Sequence, residues 1–94
     1  MAFDRILRRM RDLVRASRYV LTVHGADEMA ADGLNVFDVE HCILTGKIVK
    51  RQRDRVTGDW KYLVEGRTLS GTQAAVVAKI GPTGKLVLIT VYTL

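Results

Sequence analysis

The sequence predicts an α+β domain in which N-terminal helices pack on one face of a four-stranded antiparallel sheet. Three observations lead there. Apolar residues recur with a helical period of 3.6 as far as Gly46, then alternate with a period of 2 from Lys47 onward. The links between the alternating segments are short, which makes consecutive strands antiparallel neighbours. A chain of 94 residues, 48% hydrophobic and 27% charged, with one Pro and eight Gly, suffices for one packed core and not for two. Residues 1–94 are therefore read as a single domain, an amphipathic helix over 1–17 followed by an α+β core over 19–93.

The first helix follows from Phe3, Ile6, Leu7, Met10, Leu13 and Val14, which fall on one helical stripe, with Arg5, Arg8, Arg9, Arg11, Asp12 and Arg15 on the other side. Tyr19 to Val23 is β-branched and aromatic enough for a short extended stretch. Thr22 then suits the N-cap of a turn or two of helix through Asp27, Glu28 and Met29, with Gly33 as its C′ residue. Asn35 is an N-cap for a third helix, with Asp38 at the capping-box position, Val36, Val39, Ile43 and Leu44 on one face, and Gly46 as its stop. Four strands follow: Lys47 to Val56, Trp60 to Val64, Gln73 to Ile80 and Lys85 to Thr93. Thr57-Gly58-Asp59 and Gly81-Pro82-Thr83-Gly84 supply hairpin loops, and Glu65 to Thr72 a looser connection. Their order fits a meander.

The net charge of +5 conceals blocks. Residues 1–18 carry +4, residues 19–46 carry −5 with no Lys or Arg, residues 47–67 carry +4, and the remainder adds +2. A basic chain of this size is a candidate for polyanion binding. A single Cys42 excludes an internal disulfide framework, no apolar run reaches the ~18 residues of a membrane span, and the N-terminus lacks the pattern of a secretory signal. The expected location is the cytoplasm, with no membrane partner.

In the first strand Arg51, Arg53 and Arg55 alternate and so project from one face. If the helices cover the opposite face, they form a cationic row on the open one, at a spacing of about 6 to 7 Å that matches successive phosphates of an extended nucleic acid strand. Trp60 and Tyr62 alternate in the next strand, where rings beside cations suit single-stranded RNA. The same residues also suit a solvated edge strand with Trp60 and Tyr62 in the core. His24 opens the second helix, where free N–H groups and the helix dipole favour a neutral imidazole able to act as a general base or simply as a local hydrogen-bonding group. His24, His41 and Cys42 lack a repeated ligand spacing, so neither a metal nor a cofactor is expected, and Cys42 reads as a small buried hydrophobe. Asp27, Glu28 and Asp32 read as a solvated acidic face or as a partner for arginines of another chain. The N-terminal helix is expected to pack on the sheet or on a second subunit as a homodimer.

The order His24, Met29, Gly33, Asp38-Val39-Glu40, Leu44, Gly46, Gly71 and Leu88-Ile89-Thr90-Val91-Tyr92 resembles the family catalogued as domain of unknown function 4258, over residues 19 to 93. That family is similar to RelE-like toxins of bacterial toxin–antitoxin pairs, compact α+β domains whose sheet presents basic and aromatic residues to RNA. The resemblance implies a RelE-like fold and metal-independent endoribonuclease chemistry, with RNA as substrate and an antitoxin protein as partner. It implies His24 as the acid–base group and Tyr92 as a second site residue. The phosphate clamp of Arg51 and Arg53 comes from strand spacing alone. Glu28 and Asp32 stand where the family tends to have Arg, reversing the charge at both places. The alternative is accordingly a non-catalytic RNA-binding or protein-interaction module that has lost the site arginines.

Overall fold

A computed structural model describes residues 3–94, so the first two residues of the N-terminal segment lie outside the described residues. Along the chain come α1 (Asp4–Arg15), β1 (Tyr19–Leu21), α2 (Val23–Ala31), α3 (Val36–Thr45), β2 (Lys47–Arg53), β3 (Trp60–Arg67), β4 (Gln73–Ile80) and β5 (Leu86–Thr93). The sheet has five strands in the order β1-β5-β4-β3-β2. Strands β2 to β5 form the expected antiparallel meander. The sheet is nevertheless mixed, correcting the four-stranded antiparallel expectation. Tyr19–Leu21 is a strand in its own right and lies parallel to β5, with Tyr19 opposite Leu86 and Leu21 opposite Leu88. A three-residue strand leaves too weak a pattern to announce a partner more than sixty residues away, whereas hairpin partners are announced by the turn between them.

One face of the sheet carries the core. Met10 and Val14 of α1, with Val39, Cys42 and Ile43 of α3, close over Ile48, Val64, Val76, Ala78, Leu86, Leu88 and Val91, all of them buried. The apolar stripe of α1 is thus spent within the chain: Phe3, Ile6, Leu7 and Leu13 also pack against this core, so the homodimer expected through that helix has only its arginine face to use. Arg11 fastens the two helices by donating from Nε to the carbonyl of Ile43 (3.1 Å) and from Nη2 to that of Gly46 (2.7 Å), placing a cation at the C-terminal end of α3. Close approach of backbones explains two glycines. A Cβ on Gly66 would collide with the Cys42 carbonyl, and one on Gly25 would come within 2.9 Å of the Leu88 carbonyl.

The helix ends follow the sequence signals closely. Thr22 accepts from Gly25 N–H at the start of α2, and Gly33 ends that helix at φ 70°. Asn35 and Asp38 form the full capping box of α3, and Asp38 Oδ1 also accepts from Leu69 N–H, tethering the β3–β4 connection. Strand β2 stops at Arg53, three residues before its expected end at Val56. Asp54 Oδ1 accepts from the N–H groups of Val56 (2.8 Å) and Thr57 (3.0 Å), which turns the chain before Arg55.

Candidate nucleic-acid interface

Two β-bulges decide which side chains reach the open face of the sheet. In β2, Ile48 pairs with Val64 while Lys50 pairs with Leu63, so Val49 is the extra residue. A bulge of one residue reverses the facing of everything after it. Strict alternation from buried Ile48 would send Arg51 and Arg53 to the open face. With the bulge they stand opposite Tyr62 and Trp60, and Tyr62 packs against the core on the helix side. The expected cationic row is therefore not on the open face, and Arg55 is not part of it, since it lies in the turn beyond the strand. In β5, Val77 pairs with Thr90 and Ala78 with Leu88, leaving Ile89 extra. Alternation from buried Leu86 and Leu88 would turn Tyr92 inward. The bulge instead buries Val91 and brings Tyr92 to the open face.

What the open face presents is lysine. Lys50, Gln52, Lys61, Leu63, Val77 and Tyr92 line a cavity of about 180 Å³ on it. Lys79, on the same face as Val77, pairs with Asp59 at 3.2 Å, and Lys61 lies 3.8 Å from Asp54. Lys50 has no carboxylate partner among the described residues. Leu63 and Val77 give the cavity apolar walls, and two lysines, Gln52 and a phenol give it polar ones. Of these residues the sequence singled out Tyr92 alone; Lys50, Gln52 and Lys61 were not singled out, because only the register shows that they share a face with it.

On the helix side, the guanidiniums of Arg51 and Arg53 stack on the ring of Trp60, with Cζ 4.0 and 4.2 Å from its centroid. Arg53 also donates to the Gly58 carbonyl at 3.0 Å. Tyr62 meets Phe3 edge to face at 6.2 Å. Both rings expected to stack on bases are thus engaged within the chain.

His24 sits in the first turn of α2, 69% exposed, with Nε2 3.1 Å from Glu28 Oε1. The position of α2 comes from a feature of β5. The three-residue β1 covers only the first part of that strand, and α2 lies along the rest of its edge. Thr22 donates from its N–H to the Leu88 carbonyl and from Oγ1 to that of Ile89. Glu28 Oε1 accepts from Val91 N–H at 3.3 Å, and Asp32 Oδ2 accepts from Thr93 N–H at 2.8 Å and from its hydroxyl at 3.2 Å. Glu28 and Asp32 therefore bond the edge of the sheet, where the sequence suggested a solvated acidic face. His24 and Tyr92 do not line a common cavity; the recess at Tyr92 is bounded by β2, β3 and β4.

His41 is fixed by its own contact, with Nδ1 2.8 Å from the Arg67 carbonyl. Cys42 is fully buried, and that burial pushes its thiol up to about 11, with Glu65 adding to the rise. Among the described residues, no three His, Cys, Asp or Glu side chains gather as metal ligands would, and no helix is long and apolar enough to cross a membrane.

These features define a small α+β domain with α1 and α3 on one sheet face, α2 along the edge of β5, and a lysine-lined recess on the other face. Residues 21–93 match the family described as Domain of unknown function (DUF4258), and the chain belongs to that family. No curated protein and no solved structure matches it.

Proposed function

We propose that this chain is a RelE-like, toxin-type domain that binds single-stranded RNA on the open face of its sheet. The carrying observation is the recess in which Lys50, Lys61, Gln52 and Tyr92 surround Leu63 and Val77. Ammonium groups on a rim bind phosphate without sequence preference, and a phenol over an apolar floor accepts a base by stacking. The test is RNA affinity measured against salt for wild type and for Lys50→Ala/Lys61→Ala. Losing two phosphate contacts lowers the slope of log K on log salt by about 1.4 for a single strand. An unchanged affinity and slope would refute the open face as the contact surface.

A second reading, that the bound RNA is cleaved, rests on the His24–Glu28 pair. A carboxylate 3.1 Å from an exposed imidazole orients the ring, as an acid–base group requires. The reaction would be attack of a 2′-oxygen on the adjacent phosphorus as a base takes its proton, with an acid protonating the leaving 5′-oxygen. Cleavage to 2′,3′-cyclic phosphate ends by purified protein, lost in His24→Ala, and growth arrest on expression are the expected results. Intact RNA with the wild-type protein would leave the binding reading alone standing.

A further inference from the structure

A separate basic recess lies on the opposite side of the sheet, between the start of α1 and strands β2 and β3. Arg5 and Arg9 of α1 and Arg51 of β2 line a recess of about 250 Å³ whose remaining walls are Phe3, Ile6 and Tyr62. Three arginines from two elements far apart in sequence line it, and no carboxylate does so among the described residues. Arg5 and Arg9 have no hydrogen bond or salt bridge among the described residues. Arg51 Cζ lies 4.0 Å from the centroid of the Trp60 ring, a contact that holds its guanidinium in place. Gathering like charges around a concavity is unfavourable in an empty fold and favourable around an anion.

The walls narrow the choice of anion. Phe3 and Tyr62 are half-buried and set edge to face, giving an aromatic surface beside the cations. The volume lies just under the range of cofactor pockets, about 300 Å³ and upward, and accommodates one phosphate and one ring. We propose that this recess binds a nucleotide, its phosphate in the Arg5, Arg9 and Arg51 cluster and its base against Phe3 and Tyr62. The source is either a free mononucleotide or a residue of an RNA strand. The site is independent of the lysine recess on the open face.

The test is titration of the full chain with adenosine monophosphate, adenosine, inorganic phosphate and a short 5′-phosphorylated RNA, followed by Trp60 fluorescence and calorimetry. Saturable binding of the monophosphate is expected, weaker for phosphate and adenosine alone. Arg5→Gln/Arg9→Gln, on an exposed helix face, should weaken it at least about tenfold, the loss of roughly 1.4 kcal/mol, while Lys50→Ala/Lys61→Ala leaves it unchanged. Arg51→Lys, which keeps the charge and loses the fork, should fall between. Binding of the RNA but not the monophosphate, with the same loss in Arg5→Gln/Arg9→Gln, identifies the strand as the source. Absence of saturable binding by both, affinity indifferent to the arginine variants, or inorganic phosphate binding as tightly as the monophosphate would each overturn the proposal. Because the lysine variants separate the two faces, failure here leaves the open-face reading to its own experiment.

Discussion

Removing both carboxylates that hold the edge of β5, in Glu28→Ala/Asp32→Ala, tests how α2 is kept in place. Asp32 accepts two hydrogen bonds from Thr93, and Glu28 accepts one from Val91 N–H. Hydrogen bonds to charged groups contribute about 1.5 to 3 kcal/mol when sheltered, and Asp32 is exposed, so about 1 kcal/mol per carboxylate is the appropriate scale. An opposing effect is present. Both acids lie in the C-terminal part of α2, where negative charge meets the negative end of the helix dipole, and removing them returns roughly 0.5 kcal/mol. The hydrogen bonds win, leaving a net loss of about 1.5 kcal/mol and a Tm lower by roughly 6 to 12 °C for a domain of this size. Thermal unfolding measures the sum, and amide exchange locates it: Val91 and Thr93 should lose protection. Asp27→Ala, on the same helix and exposed, is the control and should be neutral or slightly stabilising. An unchanged Tm with Val91 and Thr93 still protected would refute the reasoning, because the helix would then be held by packing alone.

Ser17 has φ 54°, a conformation that glycine adopts more easily, and closes α1 in a turn with Arg18 N–H bonded to the Leu13 carbonyl. Ser17→Gly should therefore stabilise by up to about 1 kcal/mol, read as a higher Tm. Gly66→Ala forces a methyl group against the Cys42 carbonyl and should destabilise by about 1 to 3 kcal/mol, with α3 displaced from β3 in chemical-shift maps; wild-type stability would show that the two backbones separate freely. Burial, with a hydrogen bond to Glu40, pushes the Tyr19 phenol up to about 12 from its ordinary 10. The raised value means that its contribution is complete below pH 10 and is lost as pH climbs through about 12, so Tyr19→Phe should show a shallower alkaline loss of stability than wild type. Cys42, with its thiol up at about 11 and no exposed surface, should resist thiol reagents at neutral pH until the chain is unfolded; prompt labelling of the native protein would contradict its place in the core.

Much of this architecture is written locally. Thr22, Gly33, Asn35, Asp38 and Gly46 punctuate α2 and α3 through contacts within a few residues, and the sequence signals at those positions correspond to real caps. The apolar stripe of α1 and the change of period at Lys47 depend only on the repeat of each element, so the helices and the antiparallel strands after them were legible before any contact was known, while the strand order was not. Local chemistry also shortened β2, since Asp54 bonds the two residues that begin its turn, although the competing run of alternating basic residues concealed that signal.

The site depended on relations that no local pattern carries. A bulge is a mismatch between two strands, so neither strand alone records it. The one at Val49 moved Arg51 and Arg53 to the helix side against Trp60, and the one at Ile89 turned Tyr92 outward to the recess of Lys50 and Lys61. Glu28 and Asp32 have a similar history: acids at the wrong end of a helix look unfavourable in sequence and become acceptors only when β5 lies beside them. The sequence by itself determined the elements, the core and the supply of positive charge. The pairing of strands alone decided on which face each charge stands, because facing is set by register and register is a property of two segments together.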